Sequence, residues 1–131
     1  MEIYRPIDVE NAIVDILLSE HLTAYCAPLP ADFETPCILV TAAGGATEST
    51  NTGIGKIDSF TVVIDSRHEL NGDALEYLRT AIAILEQSRG SGIAHVEVNS
   101  MYSWGVDPVR PDLSMCSATL IVTAHREVIT I

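Results

Sequence analysis

The pattern that most constrains this chain is the alternation of apolar and polar residues in segment 115–125. Apolar side chains occupy every second position from Cys116 to Ala124, and hydroxyl side chains fill most of the positions between them. Successive residues of a β-strand point to opposite faces of the sheet, so the pattern predicts a strand with one buried side. Residues 57–65 alternate in the same way. We therefore predict a sheet that is covered on one face only.

Two segments with helical periodicity can cover that face. In the first, Asp8 is a candidate N-cap, and apolar residues at three- and four-residue steps predict a helix to about Glu20. In the second, Asp73 and Glu76 have the spacing of a capping box, and the helix is predicted to end before Gly90. The two apolar stripes consist of Val9, Ala12, Ile13, Ile16 and Leu17, and of Leu75, Leu78, Ile82 and Leu85.

The remaining segments complete the predicted sheet. Segment 23–30 contains two prolines, which limit it to an edge strand or an extended connector. Segment 37–42 is apolar on both faces and is predicted to be a central strand, and 93–101 adds another. The polar, glycine-rich segment 44–56 predicts a flexible hairpin loop. We predict one domain, residues 1–131, with an α+β fold in the order α-β-β-β-α-β-β: a mostly antiparallel β-sheet with two α-helices packed on one face.

Composition and charge exclude several classes of function. Seven Lys and Arg residues stand against 18 Asp and Glu residues, for a formal net charge of -11. This balance opposes any binding that neutralises phosphates, which excludes nucleic-acid recognition and binding to anionic membranes. Asp15 interrupts the first apolar run, so we predict neither an export signal nor a membrane anchor. Three cysteines without a CxxC pair, Cys26, Cys37 and Cys116, are interpreted as buried, reduced thiols of a cytosolic protein.

No sequence motif fixes a catalytic centre. Segment 53–56 lacks the preceding glycine and the following hydroxyl residue that a phosphate-binding loop requires. The four histidines do not have the spacing of metal ligands. The cluster Arg67-His68-Glu69 is a candidate for acid–base chemistry. We nevertheless predict no enzyme activity, no cofactor and no metal. A small enzyme that uses this cluster and a small ligand-binding domain remain alternative functions.

Several short segments match one protein family in order and spacing over nearly the whole chain. They are Asp8-Val9-Glu10-Asn11-Ala12, Leu29-Pro30-Ala31-Asp32, Pro36 before the strand at 38–41, Gly44-Gly45, Ile57-Asp58, the strand at 62–65, Arg67, and Asp107-Pro108-Val109-Arg110-Pro111. In these features the chain resembles the tail terminator proteins of long-tailed bacteriophages, also called tail-completion or minor tail proteins.

The resemblance implies a structural protein that catalyses no reaction. Subunits of this family form a ring, hexameric in the better-known relatives, on the end of the tail tube. The ring stops tube polymerisation and offers a joining surface to the head-side connector protein. The resemblance also implies a place in the virion, at the head-proximal end of the tail, after synthesis in the host cytoplasm. The genome would pass through the lumen without specific binding. A related tail tube protein, which polymerises into filaments, remains an alternative.

A ring subunit needs residues that contact its neighbours. Arg110, in an irregular connection before the last strand, can reach a carboxylate of a neighbouring chain, and Trp104 is either a core anchor or an interface aromatic. We also expect the loop at 44–56 to order only on assembly, and part of the acidic surface to line the lumen. The predicted interface residues are Glu48, Asn51, Ile54, Lys56, Arg67, Trp104, Asp107 and Arg110.

Overall fold

The computed structural model describes residues 1–49, 56–88 and 90–131, which form two helices and seven strands. The elements in chain order are β1 (Glu2–Arg5), α1 (Val9–Ser19), β2 (Ala24–Cys26), β3 (Cys37–Ser49), β4 (Lys56–His68), α2 (Asn71–Gln87), β5 (Ile93–Val106), β6 (Ser114–His125) and β7 (Glu127–Thr130). Five strands form one sheet in the order β2-β3-β4-β6-β5, and β1 pairs with β7 in a separate ribbon. The pairing of β2 with β3 is parallel, and the other pairings are antiparallel.

The core lies between the two helices and one face of the five-stranded sheet, which confirms the predicted α+β fold. The alternation of β6 appears directly in its burial, because every second residue from Cys116 to Ala124 is buried. Leu17 of α1 and Leu78 of α2 are fully buried against this face. Full burial of one leucine side chain contributes about 2 kcal/mol to folding. The opposite face of the sheet carries no helix among the described residues.

The first helix begins as predicted, and the second begins earlier. Asp8 is the N-cap of α1, and its Oδ1 accepts a hydrogen bond from the backbone N–H of Asn11 at 3.2 Å. Helix α2 begins at Asn71 rather than at Asp73, and its N-cap, Leu70, provides no side-chain hydrogen bond. Asp73 instead lies in the first turn, where its negative charge is favourable beside the N-terminal end of the helix dipole.

The predicted loop at 44–56 is wrong for the described part of that segment, which is all strand. Residues 44–49 continue β3 and pair with 56–61 of β4, after a register shift between Ala42 and Gly44. Residues 50–55 lie outside the described part of the structure. The prediction failed because backbone hydrogen bonds to β4 do not require apolar side chains. Gly45 also has a packing role, since a Cβ atom there would collide with the backbone carbonyl of Ser59.

Other strand predictions need smaller corrections. The predicted edge strand at 23–30 is the short β2 at one edge, but β3 lies next to it and β4 is the central strand. The other edge is β5, which continues beyond the predicted 93–101 to Val106. The ribbon of β1 and β7 was not predicted, because each strand has only four residues and most of them are exposed. Within the described residues, neither helix has the length and apolar character needed to span a membrane.

Candidate functional site

Three of the predicted interface residues meet at one end of the five-stranded sheet. Arg67 lies near the end of β4, Asp107 directly follows β5, and Arg110 lies in the connection from β5 to β6. This connection and the proline-rich connection from β2 to β3 enclose a cavity of about 380 Å³. The cavity is lined by Leu29, Pro30, Ala31, Phe33, Arg67, Asp107, Pro108, Val109 and Arg110. The sheet therefore brings together charged residues that are far apart in the sequence.

Arg67 and Asp107 form a buried ion pair in this cavity. The side chains are only 7% and 3% exposed, and Arg67 Nε donates to Asp107 Oδ2 at 2.6 Å. The other carboxylate oxygen, Oδ1, accepts the backbone N–H groups of Val109 at 2.8 Å and Arg110 at 2.9 Å. One carboxylate thus fixes both the guanidinium and the start of the β5–β6 connection.

These contacts also set the ionisation of Asp107. Burial alone would raise the pKa of its carboxyl group, because a buried negative charge loses hydration. The hydrogen bonds from the Arg110 backbone, the Arg67 side chain and the Val109 backbone, together with the Arg67 charge, lower it by more. The net result is a pKa below the usual range of an aspartate, so Asp107 is ionised at neutral pH.

The Arg67 guanidinium is not fully satisfied by this pairing. Its Nη1 atom is buried and has no hydrogen-bond partner among the described residues. Cys37 pairs with Arg67 across the sheet and is fully buried. Burial raises the pKa of the Cys37 thiol to about 11, although the Arg67 charge acts in the opposite direction. The neighbouring thiol is therefore protonated at neutral pH and does not neutralise the guanidinium.

Arg110 provides a second cation at the same cavity. Its guanidinium carbon lies 5.5 Å from the centre of the Phe33 ring, within the range of a cation–π contact. Its Nη2 atom is 3.3 Å from Asp112 Oδ2, and its side chain is 42% exposed. Phe33 is not among the site residues predicted from the sequence. Phe33 follows the Leu29-Pro30-Ala31-Asp32 segment, but nothing in the sequence links it to Arg110.

The other predicted interface residues lie elsewhere. Trp104 is 52% exposed on the edge strand β5, so the structure favours the surface alternative over a core anchor. It pairs with Cys116, on the face that the helices cover, whereas Arg67 lies on the other face. Glu48 and Lys56 lie toward the far end of the β3–β4 pair, roughly 35 Å from Arg67 at about 3.3 Å per residue. Asn51 and Ile54 lie outside the described residues.

The cluster Arg67-His68-Glu69 does not converge on one site. Adjacent residues of β4 point to opposite faces, so His68 is directed away from the Arg67–Asp107 pair. His68 Nδ1 accepts the backbone N–H of Leu70 at 3.2 Å, and Nε2 lies 3.9 Å from Asp73 Oδ2. Glu69 is exposed. Over residues 1–49, 56–88 and 90–131, no three His, Cys, Asp or Glu side chains are grouped closely enough to hold a metal ion.

The cysteine prediction holds for two of the three thiols. Cys37 and Cys116 are buried, and Cys26 is half-buried. All three are free thiols. Burial raises the pKa of Cys26, and the charges of Glu10, Asp8 and Asp15 raise it further.

Comparison with known proteins gives a likeness of fold. No protein family model matches this chain, and no curated protein matches it. The fold is similar to that of a virion protein chain. That chain belongs to a solved structure of the virion of a native gene transfer agent particle, and the TM-score is 0.52. The match covers 89% of this chain and 94% of that chain, at 9% sequence identity. At this identity the likeness concerns the fold alone.

Proposed function

We propose that this protein is a structural component of a phage-like virion, and more specifically a tail terminator. The observation that carries the proposal is the fold likeness to a chain of a gene transfer agent virion, over most of both chains. The more specific role of tail terminator rests, in addition, on the resemblance of the sequence segments described above to that family. In this role the subunits form a ring, a hexamer as in the better-known members of the family, that caps the tail tube and stops its polymerisation.

The unpaired edges of the sheet support ring formation. The edge strand β5 has 14 residues, and Trp104 and Val106 on it are more than half exposed. A long edge strand with exposed apolar side chains is an aggregation hazard for a monomer. A closed ring of identical subunits removes this hazard, because each subunit covers an edge of the next. We therefore place β5 in the subunit contact.

The charge distribution supports the passage of DNA through the ring without binding. Asp15 and Glu20 of the α1 region and Asp32 and Glu34 after β2 are exposed. A lumen that carries such residues repels the phosphate backbone and prevents the genome from adhering during ejection. Not all the acidic residues are available for this role. Asp8 caps α1, and Glu10 accepts the backbone N–H of Ala42 at 2.8 Å.

In this role the ring has two protein partners and a defined place in the virion. The ring contacts the tail tube protein on one side and the head-side connector protein on the other. It lies in the virion, at the head-proximal end of the tail, after synthesis in the host cytoplasm. The protein acts through its shape and surface and catalyses no reaction.

The experiment is to measure the mass of the purified protein in solution and to image it alone and with its tail tube protein. We expect closed rings, and tubes of limited length that carry a ring at one end. Filaments formed by this protein alone would instead identify it as a tail tube protein. Monomers that neither form rings nor change tube length would refute the proposal.

A matched pair of variants tests the contact surface. Trp104 on β5 and Leu18 on α1 are both about half exposed, so replacing either with alanine has little effect on folding. We expect Trp104→Ala to reduce the ring fraction at least fivefold at a fixed concentration, because large aromatic residues dominate interface energies. Leu18→Ala is the control and retains the wild-type ring fraction. Equal ring fractions for the two variants would exclude β5 from the contact.

A small ligand-binding domain is the second candidate function. The cavity around Arg67, Asp107 and Arg110 favours it, because cavities of this volume with a few charged groups are typical of ligand sites. The enzyme alternative has less support, because Arg67 and His68 point to opposite faces of β4.

A further inference from the structure

We propose that the cavity between the β2–β3 and β5–β6 connections is a binding site for a carboxylate group. The chemistry of the cavity does not depend on the proposed virion role. Only the source of the carboxylate depends on that role. The source is either a free small carboxylate or an Asp or Glu side chain of a neighbouring copy in the ring.

Arg67 is incompletely neutralised in the cavity wall. Its partner carboxylate, Asp107, is shared among three donors, of which two are backbone N–H groups. The contact to Arg67 uses Nε alone at 2.6 Å, so the pair is not bidentate. The guanidinium retains a buried Nη1 group without a partner. A buried donor without a partner costs free energy, and a small opening of the cavity wall that lets an acceptor reach Nη1 regains it.

Arg110 lies where its guanidinium can contact a ligand in the cavity. Its contact with the Phe33 ring holds the guanidinium at the cavity wall, and its exposed portion is accessible to a ligand. The single contact with Asp112, at 3.3 Å, is longer than an ideal charge-assisted hydrogen bond. Asp112 is itself exposed, so this surface pair is weak and readily exchanged for another carboxylate.

The charge of the lining residues differs from that of the protein as a whole. The lining includes two arginines and one aspartate, and Asp112 at its edge contacts Arg110, so the two cations and two carboxylates balance on a chain with a net charge of -11. Leu29 and Pro30 supply half-buried apolar walls, and Pro108 and Val109 lie at the exposed rim. Apolar walls lower the local dielectric constant and strengthen the attraction between a guanidinium and an anion. The site is thus less acidic than the rest of the surface, and it gains an attraction for an anion when the Arg110–Asp112 contact is exchanged.

The same features favour a carboxylate over a phosphate dianion. Asp107 is ionised and lies in the cavity wall, so a second negative charge on the ligand increases repulsion. A planar carboxylate matches the two-donor geometry of a guanidinium edge. The volume of about 380 Å³ admits a group as large as a glutamate side chain.

The test uses propionate, which reproduces the end of a glutamate side chain, and the neutral isostere propionamide as control. Both are added to the full-length protein at constant ionic strength, while NMR follows the Nε–H signals of the arginines. We expect propionate to shift the Arg67 and Arg110 signals with a millimolar dissociation constant. Propionamide and added chloride leave these signals unshifted, and inorganic phosphate binds more weakly than propionate.

Variants assign the binding to the cavity. Arg110→Gln removes one cation from a partly exposed position, so the fold is retained, and we expect propionate binding to weaken about fivefold. Arg79→Gln is the matched control, because Arg79 is also paired with a carboxylate but lies on the exposed face of α2. It leaves propionate binding unchanged. Equal shifts with propionate and propionamide, equal binding by the two variants, or tighter binding of phosphate would each overturn the proposal.

A ring-assembly measurement distinguishes the two sources of the carboxylate. If propionate lowers the ring fraction and propionamide does not, the natural ligand is a carboxylate of the neighbouring copy. If propionate binds and the ring fraction stays constant, the site serves a free carboxylate. Failure of the wild-type protein to form rings would refute the proposed function, whereas the NMR result would still decide the carboxylate site.

Discussion

Replacing Asp107 with asparagine removes the counter-charge of a buried guanidinium while keeping the size of the side chain. Arg67 is only 7% exposed, and its Nε donates to Asp107. Removal of one partner from a buried ion pair costs about 3–5 kcal/mol, because the other charge is left without compensation. Asparagine retains an oxygen that accepts the backbone N–H groups, so we expect a loss at the lower end, about 3 kcal/mol. For a chain of this size that corresponds to a decrease in Tm of about 10 °C.

The pH dependence of this loss has a defined sign. The pKa of the Asp107 carboxyl group is lower in the folded protein than in the unfolded chain, where it is about 3.9. A carboxyl group with a lowered folded pKa stabilises the protein above its unfolded pKa, and this contribution is lost as the pH falls through the folded pKa. The stability difference between wild type and Asp107→Asn is therefore full at neutral pH and shrinks below about pH 4.

The assay is urea denaturation at a series of pH values, with Glu76→Gln as the control. Glu76 and Arg79 are 2.6 Å apart, but both side chains are more than half exposed. Exposed pairs of this kind contribute about 0.5 kcal/mol or less. If Asp107→Asn costs no more than Glu76→Gln at neutral pH, or if its cost does not decrease toward acid pH, the assigned role of the buried pair is incorrect.

Two further predictions concern packing and thiol reactivity. Gly45→Ala places a Cβ atom against a backbone carbonyl of β4, and we expect the free energy of unfolding measured by urea denaturation to fall by about 1–3 kcal/mol. Gly105→Ala is the control, because a Cβ atom at Gly105 lies in open space. Equal losses for the two variants would contradict the role of Gly45. A thiol-specific reagent at pH 8 is expected to modify Cys26 of the native protein slowly and to leave Cys37 unmodified. Cys37 is buried and its pKa is about 11, so we expect it to react only after denaturant exposes it. Rapid native modification of Cys37 would contradict its burial.

The sequence predicted those parts of the fold that depend on periodic burial. The alternation from Cys116 to Ala124 predicted which residues of β6 face the core, and Asp8 marked the start of α1. Both signals are local, because a strand or helix that buries one side must repeat its apolar residues with the period of that element. The sheet face that these residues form, and the helices that cover it, followed from the same signals.

The sequence did not predict structure that depends on backbone pairing or on distant side chains. Residues 44–49 have few apolar side chains, yet they extend β3 because β4 supplies backbone partners. The buried pair joins Arg67 to Asp107, which are separated by α2 and β5. No local pattern encodes a pairing between such distant positions. The segment Asp107-Pro108-Val109-Arg110-Pro111 was recognised, but the role of Phe33 opposite Arg110 became evident only in three dimensions.

The strand order of the larger sheet has a consequence for how the chain folds. The β3–β4 and β5–β6 pairs each join strands that are consecutive along the chain, whereas the β4–β6 pairing joins positions as distant as Ile57 and His125. Pairing across so long a stretch of chain carries a large loop-closure cost, so we expect the closing of this β4–β6 seam to limit the rate of folding. A chain divided between α2 and β5 would give two fragments, each with one complete hairpin, that reassemble along the seam.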